Sequence, residues 1–261
     1  MAKNTSNRIE EKNMKPKILI FIFGCSLILA AYWIYRTRSA SLKDMALIPA
    51  GNFQMGSPDE TGDPNEHPQH QVYLNAFYID KYLVSFDQYD KFCEATGRIK
   101  PDDSGWGRGS RPVINVTWED ANSFAQWIGK RLPTEAEYEK AARGGTTTQY
   151  FFGDDPSLLG DYAWYHDNSK SMTHPIGEKK PNPFGLYDIV GNVWEWCSDW
   201  FSENYYATSP AKDPQGPDGG MMLCLRGGSW NSFADSCRSA NRNENIPKRN
   251  NIYGFRCAKN P

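Results

Sequence analysis

The sequence predicts an α+β domain that is rich in loops and poor in regular secondary structure. Aromatic residues make up 14% of the 261 residues and include nine tryptophans. The chain also has 22 glycines and 17 prolines, residue types that favour turns. Helix signals end near residue 145, and short aromatic runs separated by Gly, Pro, Asn and Asp follow. We therefore expect large aromatic rings to form a core between short strands and ordered loops.

The charge balance excludes one broad class of function. The formal net charge is -2 and the sequence pI is about 6.1. A protein that binds nucleic acid needs a basic face to neutralise phosphates. We therefore expect no nucleic-acid partner.

The N-terminal region predicts a membrane anchor. Residues 18–35 carry no formal charge, and their length is at the lower limit for a membrane-spanning helix. Five basic residues precede this segment, which favours a cytoplasmic N-terminus: Lys3, Arg8, Lys12, Lys15 and Lys17. We predict a cytoplasmic tail at 1–17, a transmembrane anchor at 18–35, a linker at 36–44 and a globular domain at 45–261. The chain would then be a single-pass protein of the cell (inner) membrane, with its domain periplasmic or extracellular.

Two other interpretations of this region stay open. Small residues at 30–31 and 39–41 are typical of cleaved signal peptides. Cys25, preceded by Ile22, Phe23 and Gly24, resembles a lipoprotein cleavage box, although the apolar run continues beyond it. All three interpretations export the domain.

Short-range patterns predict the elements of the first half of the domain. Residues 45–55 are typical of a hairpin with its turn at Pro49, and residues 72–79 are typical of a strand. The polar stretch at 57–71 predicts an exposed loop. Capping-box spacings that begin at Ser85, Thr117 and Thr134 predict three helices. Glycines at 97, 129 and 144–145 end them.

Four segments resemble the formylglycine-generating enzyme (sulfatase-modifying factor) family. They are IPAGNFQMGS (48–57), RLPTEAEYEKAARGG (131–145), NPFGLYDIVGNVWEW (182–196) and LRGGSW (225–230), the last continued by RSANR (238–242) and GFRC (254–257). They occur in the family's order and cover nearly the whole chain after the linker. The resemblance implies a C-type-lectin-related α+β fold of low regular content, in agreement with the composition.

The resemblance also implies a calcium site. Its ligands would be the side chains of Asp188 and Glu195 and the backbone carbonyls of Gly191 and Val193. Calcium prefers six to eight oxygen ligands, and carboxylates and carbonyls supply them. The alternative is a metal-free turn in which Glu195 pairs with an arginine.

The oxidase chemistry of the family depends on two cysteines five residues apart, whose thiolates bind Cu(I). Counting from the Gly-Gly-Ser element that ends at Ser229, these positions are Ser232 and Cys237. A serine hydroxyl does not replace a soft thiolate, so we do not expect copper binding. Counting back from the two-arginine element that ends at Arg242, the loop is about three residues short, and Cys237 itself is displaced. Ser229, Cys237 and Arg242 remain the candidate catalytic residues.

The cysteine count leaves the redox state open. Six cysteines occur, and Cys25 lies in the apolar segment, so the domain holds the other five. An oxidising compartment permits up to two disulfides among them. Buried unpaired thiols are the alternative.

Three functional hypotheses follow. The first is an accessory, binding or maturation factor for another exported or membrane protein, with loop aromatics as candidate contacts: Trp106, Tyr205 and Tyr206. The second is a divergent oxidase that converts a cysteine of a substrate polypeptide to formylglycine. The third is a metal-dependent enzyme of another chemistry.

Overall fold

We analysed a computed structural model that describes residues 42–261. The predicted tail and anchor, 1–35, lie outside the described residues. Within these, Asp44–Pro261 form one compact unit. No helix between residues 42 and 261 is both long and apolar enough to cross a membrane. The anchor at 18–35 stays a prediction.

The N-terminal part of the domain is a long two-stranded antiparallel ribbon. Strands β1 (Met45–Ile48) and β4 (Phe77–Asp80) pair, as do β2 (Gly51–Met55) and β3 (His70–Leu74). Residues 49–50 separate β1 from β2, and residues 75–76 separate β3 from β4. Because these two gaps are equal, the β1–β4 and β2–β3 pairs share one register. The predicted hairpin within residues 45–55 is therefore wrong. Pro49 interrupts the ladder instead of reversing the chain, because the partner strand comes from residues 70–80. The polar stretch before residue 70 is the connection, as its composition predicts.

Three helices follow, and their predicted starts are confirmed. They are α1 (Phe86–Thr96), α2 (Trp118–Trp127) and α3 (Glu135–Arg143). Each begins with a complete capping box, in which Ser85, Thr117 or Thr134 accepts a hydrogen bond from the backbone N–H three residues on. Gly97 and Gly144 end α1 and α3 in the left-handed conformation. Local hydrogen bonding thus fixes these boundaries.

A four-stranded sheet carries the C-terminal half, with the order β7-β6-β5-β8. Its strands are β5 (Trp194–Trp200), β6 (Leu223–Arg226), β7 (Arg242–Asn245) and β8 (Tyr253–Gly254). Alternate residues face opposite sides: Trp196 and Leu225 enter one hydrophobic cluster, whereas Cys197 and Cys224 enter the other. The sheet therefore lies between the two parts of the core.

Short elements complete the fold. A four-residue helix, α4 (Leu159–Tyr162), precedes the loop to β5, and β9 (Ala258–Lys259) joins β4 at the edge of the ribbon. Single 3-10 turns occur at Pro64–Glu66, Pro156–Leu158, Tyr205–Ala207 and Ala234–Cys237. The predicted α+β class with low regular content after residue 145 is confirmed.

Candidate functional site

The loop after β6 carries the residues that correspond to the family's copper site. Two glycines open it with positive φ values, 96° at Gly227 and 77° at Gly228. A Cβ atom on Gly227 would lie 2.4 Å from the Tyr138 hydroxyl, and one on Gly228 would lie 2.7 Å from Cys237 Sγ. The backbone therefore passes between these two side chains at a distance that only glycine allows.

Ser229 and Ser232 form a closed hydrogen-bonded turn. The backbone N–H of Ser229 donates to Ser232 Oγ at 3.0 Å, and the two hydroxyl oxygens are 3.2 Å apart. Ser229 Oγ also donates to Asn231 Oδ1 at 2.7 Å. Ser232 is buried and its hydroxyl holds the turn together. At the position where the resemblance places the first thiolate, this chain has a hydroxyl that holds the turn together.

Cys237 ends a 3-10 turn and lies beneath Gly228. The residue has no exposed surface, and burial raises the pKa of its thiol to about 12. A cysteine reacts and binds soft metals as the thiolate, which such a pKa suppresses at neutral pH. Cys237 therefore has the environment of an inert core thiol.

The other cysteines of the described chain share this environment. All five between residues 42 and 261 are unpaired and buried: Cys93, Cys197, Cys224, Cys237 and Cys257. Burial is the largest cause of the raised pKa of every one of them. The structure therefore agrees with the second interpretation of the cysteine count, buried unpaired thiols, for residues 42–261. These residues do not fit a Cu(I) site.

Arg242, the third of the remaining catalytic candidates, belongs to a buried charge network. Its Nε and Nη2 donate to the two oxygens of Glu135 at 2.7 and 2.9 Å, and its guanidinium stacks on Tyr206. Arg226 reaches Glu139, which Arg143 also contacts at 2.8 Å. Because both oxygens of Glu135 engage it within the core, the structure gives Arg242 a structural role.

The three predicted contact aromatics differ in exposure. Tyr206 is only 2% exposed because it lies under Arg242 and beside His70, so it cannot contact a partner. This corrects the prediction. Tyr205 is half-buried. Trp106 is also half-buried and packs edge to face against Trp230 at 5.3 Å, next to the Ser229–Ser232 turn.

Sequence reasoning missed the most exposed aromatic residue near this turn. Phe233 is 64% exposed and its ring lies 4.4 Å from that of His166. The backbone N–H of His166 donates to Ser232 O at 2.9 Å, which fixes the pair beside the turn. The hydrophobicity of Phe233 predicts burial, so the sequence holds no signal for this exposure. Asn231, Phe233, His166, Trp230 and Trp106 together form what we call the 231–233 surface.

The four predicted calcium ligands lie on one turn before and within β5. Asp188 accepts from the backbone N–H of Gly177 at 2.7 Å and from Asn192 Nδ2 at 3.3 Å. Glu195 is fully buried and pairs with Arg256. Burial is the first cause that raises the pKa of both carboxyl groups. Arg256 engages both oxygens of Glu195, the arginine pairing that the alternative predicts, and contacts Asp188 only at its backbone oxygen.

Comparison with known proteins decides the family. The family model described as "Sulfatase-modifying factor enzyme 1-like domain" matches residues 34–261. The chain belongs to this family. A formylglycine-generating enzyme of Streptomyces coelicolor is 36% identical, and the match covers 85% of this chain and 90% of that enzyme.

Proteins with other names are also similar to this chain. The serine/threonine-protein kinase pkn1 of Chlamydia pneumoniae is 40% identical over 84% of this chain, which spans only 38% of the length of that protein. Treponema denticola variable protein 1 has a structure with a TM-score of 0.73 and 32% identity, covering 83% of this chain and 95% of that one. PvdO from Pseudomonas aeruginosa has a TM-score of 0.73 and 31% identity, covering 84% and 96%. These structures have the same fold as the family domain described above.

Proposed function

We propose that this family domain is a membrane-anchored extracytoplasmic module that binds, or assists the maturation of, another exported or membrane protein without copper-dependent oxidation. One observation carries the proposal. Where the family's chemistry needs two thiolates, this chain has the buried Ser232 hydroxyl and a Cys237 thiol whose pKa is about 12.

The Ser232 hydroxyl and the Cys237 thiol are poor ligands for copper. Cu(I) binds soft thiolates, and a serine hydroxyl is hard and remains protonated at neutral pH. Cys237 has its Sγ next to the Gly228 backbone and no exposed surface. A copper ion there would need one missing ligand and the deprotonation of the other. We therefore derive no oxidation step for this chain.

The 231–233 surface supports a binding role. Exposed aromatic side chains held by a rigid core are frequent anchors of protein interfaces. The rings of Phe233 and His166 pack against each other at an interplanar angle of 35°, and Trp230 is fixed by its Nε1–H, which donates to Asn251 O at 3.1 Å. The surface is thus ordered before a partner arrives, which reduces the entropy lost on binding.

A calcium ion on the 188–195 turn is part of the proposal. Asp188 and Glu195 would supply carboxylate oxygens, and Gly191 and Val193 would supply carbonyl oxygens. Calcium would neutralise the surplus negative charge of the turn and stiffen the connection into β5. Arg256 already donates to Glu195, so the ion would share this carboxylate.

The first test separates binding from oxidation. The full-length protein in detergent would be loaded with Cu(I) under reducing conditions and incubated with oxygen and a Cys-x-Pro-x-Arg peptide. Mass spectrometry of the peptide measures formylglycine. We expect none, and we expect no tightly bound copper. Formylglycine that disappears in Cys237→Ser would establish the oxidase that the relatives' name suggests and overturn the binding module.

The second test looks for the partner. A photo-reactive amino acid replaces Phe233 in the full-length protein in its native membrane, and crosslinked proteins are identified by mass spectrometry. Met221 is a matched control, since it is 82% exposed and lies before the opposite end of β6. We expect one exported or membrane protein to crosslink at position 233 and not at 221. Identical products at both positions would contradict a specific surface.

A further inference from the structure

Strand β2 has an open edge. β2 pairs only with β3, and β3 is covered on its far side, where Tyr73 N–H donates to Ala211 O at 2.8 Å and Tyr73 O accepts from Asp213 N–H at 2.9 Å. Tyr73 thus directs both backbone groups away from β2. The opposite residue, Asn52, is therefore in a non-hydrogen-bonded pair and directs its own N–H and C=O outward. Gln54, two residues on, does the same.

Side chains of helix α3 cap the backbone at both ends of β2, although Gly51 faces β3 and only Gly56 lies on the outward edge. At one end, Lys140 Nζ donates to Pro49 O and Gly51 O, both at 2.8 Å. At the other end, Gly56 N–H donates to Glu139 Oε1 at 2.8 Å, and Gly56 O accepts from Arg143 at 2.7 Å. Between these caps, no backbone hydrogen bond of the described residues outside the β2–β3 ladder uses Asn52 or Gln54.

A groove of about 410 Å³ lies along the open part of the edge. We call it the β2 groove. Its walls include the half-buried rings of Phe53 and Phe184 and the cations Lys140 and Arg143, and no carboxylate lines it. The groove therefore combines free strand hydrogen-bonding groups with apolar walls and positive charge.

The positive charge is only partly balanced. Lys140 is 8% exposed and, among residues 42–261, its Nζ donates only to backbone oxygens, while the charge of Asp213 acts on it from beyond ion-pair distance. Arg143 shares the single carboxylate of Glu139 with Arg226. A buried cation without a counter-charge is unfavourable, and an anionic ligand would stabilise it.

We propose that the β2 groove binds an extended polypeptide segment that adds a strand to the free edge of β2 and places a carboxylate against Lys140 and Arg143. The backbone of the segment would exchange hydrogen bonds with Asn52 and Gln54, and alternate side chains would contact Phe53 and Phe184. The inference rests on the proposed function, since it assigns part of the partner's chemistry. It adds a second contact region to the 231–233 surface.

The test uses a random 12-residue peptide library displayed on phage and selected on the full-length protein in lipid nanodiscs. Gln54→Pro removes the outward N–H, and proline is tolerated at such an edge position because the ladder does not use this group. Gln54→Ala is the matched control that keeps the N–H. Melting temperatures and circular dichroism confirm that both variants are folded.

We expect the enriched peptides to contain Asp or Glu and to bind Gln54→Pro about tenfold more weakly than the wild type, but Gln54→Ala within about twofold. Changing the acidic residue of a peptide to its amide should weaken binding about fivefold, as expected for one charge-assisted contact. That loss should vanish in Lys140→Gln. Peptides that bind all variants equally, or no enrichment over empty nanodiscs, would overturn the proposal.

Two further results keep this inference separate from the proposed function. If millimolar acetate or inorganic phosphate binds at Lys140 while Gln54→Pro has no effect on peptides, the groove is a small-anion site and strand addition is wrong. If the partner still crosslinks at position 233 at full yield in Gln54→Pro, the binding module stands and the β2 groove is not part of its interface.

Discussion

Glu195 and Arg256 form a bidentate ion pair in the centre of the domain. Arg256 Nε lies 2.8 Å from Glu195 Oε2, and Nη2 lies 2.9 Å from Oε1. Neither side chain is more than 1% exposed. The same guanidinium donates to the backbone oxygens of Tyr187 and Asp188. One arginine near the C-terminus thus fixes both the start of β5 and the turn that precedes this strand.

We expect Arg256→Met to lower the free energy of unfolding by about 3–5 kcal/mol, because it leaves the buried Glu195 carboxylate without its charged partner and with only the Tyr138 hydroxyl as a donor from the described residues. The double variant Arg256→Met, Glu195→Leu should recover much of this loss. Denaturant unfolding followed by tryptophan fluorescence measures both. Lys180→Met, which removes an exposed ion pair with Asp161, is the control and should leave the midpoint unchanged. A single variant as stable as wild type would contradict the role of this pair.

Removal of calcium should lower the melting temperature. A site that is saturated at one hundred times its dissociation constant stabilises the folded state by about 2.7 kcal/mol. Scanning calorimetry with and without a calcium chelator measures the change, and elemental analysis counts the ions. Asp188→Asn should melt at the same temperature with or without the chelator. If the melting temperature of the wild type is the same with and without the chelator, the turn binds no calcium.

The contribution of Asp199 to stability should fall as the pH rises from 4 to 7. Its Oδ2 accepts from Glu135 N–H at 3.0 Å and Ser198 Oγ at 2.9 Å. Burial, and next the charge of Glu135, raises the pKa of Asp199 to about 7 from an ordinary value of 3.8. The unfolded chain releases this proton near pH 4 and the folded chain near pH 7, so the folded state binds more protons between them.

This stabilisation is therefore complete below pH 4 and lost by about pH 7, with a total of roughly 4 kcal/mol. Asp199→Asn keeps an acceptor oxygen but cannot ionise. We expect the pH dependence of its unfolding free energy to be flatter than that of the wild type by this amount. Parallel curves for the two proteins would show that Asp199 titrates normally.

The thiol of Cys237 should not react while the protein is folded. Iodoacetamide at pH 7.5, followed by peptide mass spectrometry, should label it only after denaturation, since the thiolate is the reacting form. Ser232→Cys tests the copper argument directly. The new thiol should not create a Cu(I) site, because Cys237 lies under Gly228 and both positions are buried. Stoichiometric copper binding by this variant would refute the argument from burial.

The N-terminal ribbon shows where prediction from sequence succeeded and failed. Both strand segments, 45–55 and 72–79, were recognisable from their alternation, and the polar connection from its composition. The pairing was not, because Pro49 in a short apolar run is equally compatible with a reversal and with a bend. Which one occurs depends on a partner strand that begins at His70.

Some features of the candidate site were also predictable from the sequence, and others were not. The replacement of a copper ligand by Ser232 could be read directly from the spacing of the Gly-Gly-Ser element. The roles of Arg242 and Tyr206 could not, because Arg242 contacts Glu135, a residue 107 positions away. The exposure of Phe233 likewise depends on where His166 lies.

The sequence by itself determined the family and the starts of the three helices, and it predicted the missing thiolate, since caps and motifs act through residues only a few positions apart. The tertiary structure alone decided that all five domain cysteines are buried, that Glu195 pairs with Arg256, and that β2 keeps an open edge beside Lys140. These features arise from contacts between distant segments, where burial changes the charge state of a group and strand register decides which backbone groups stay free.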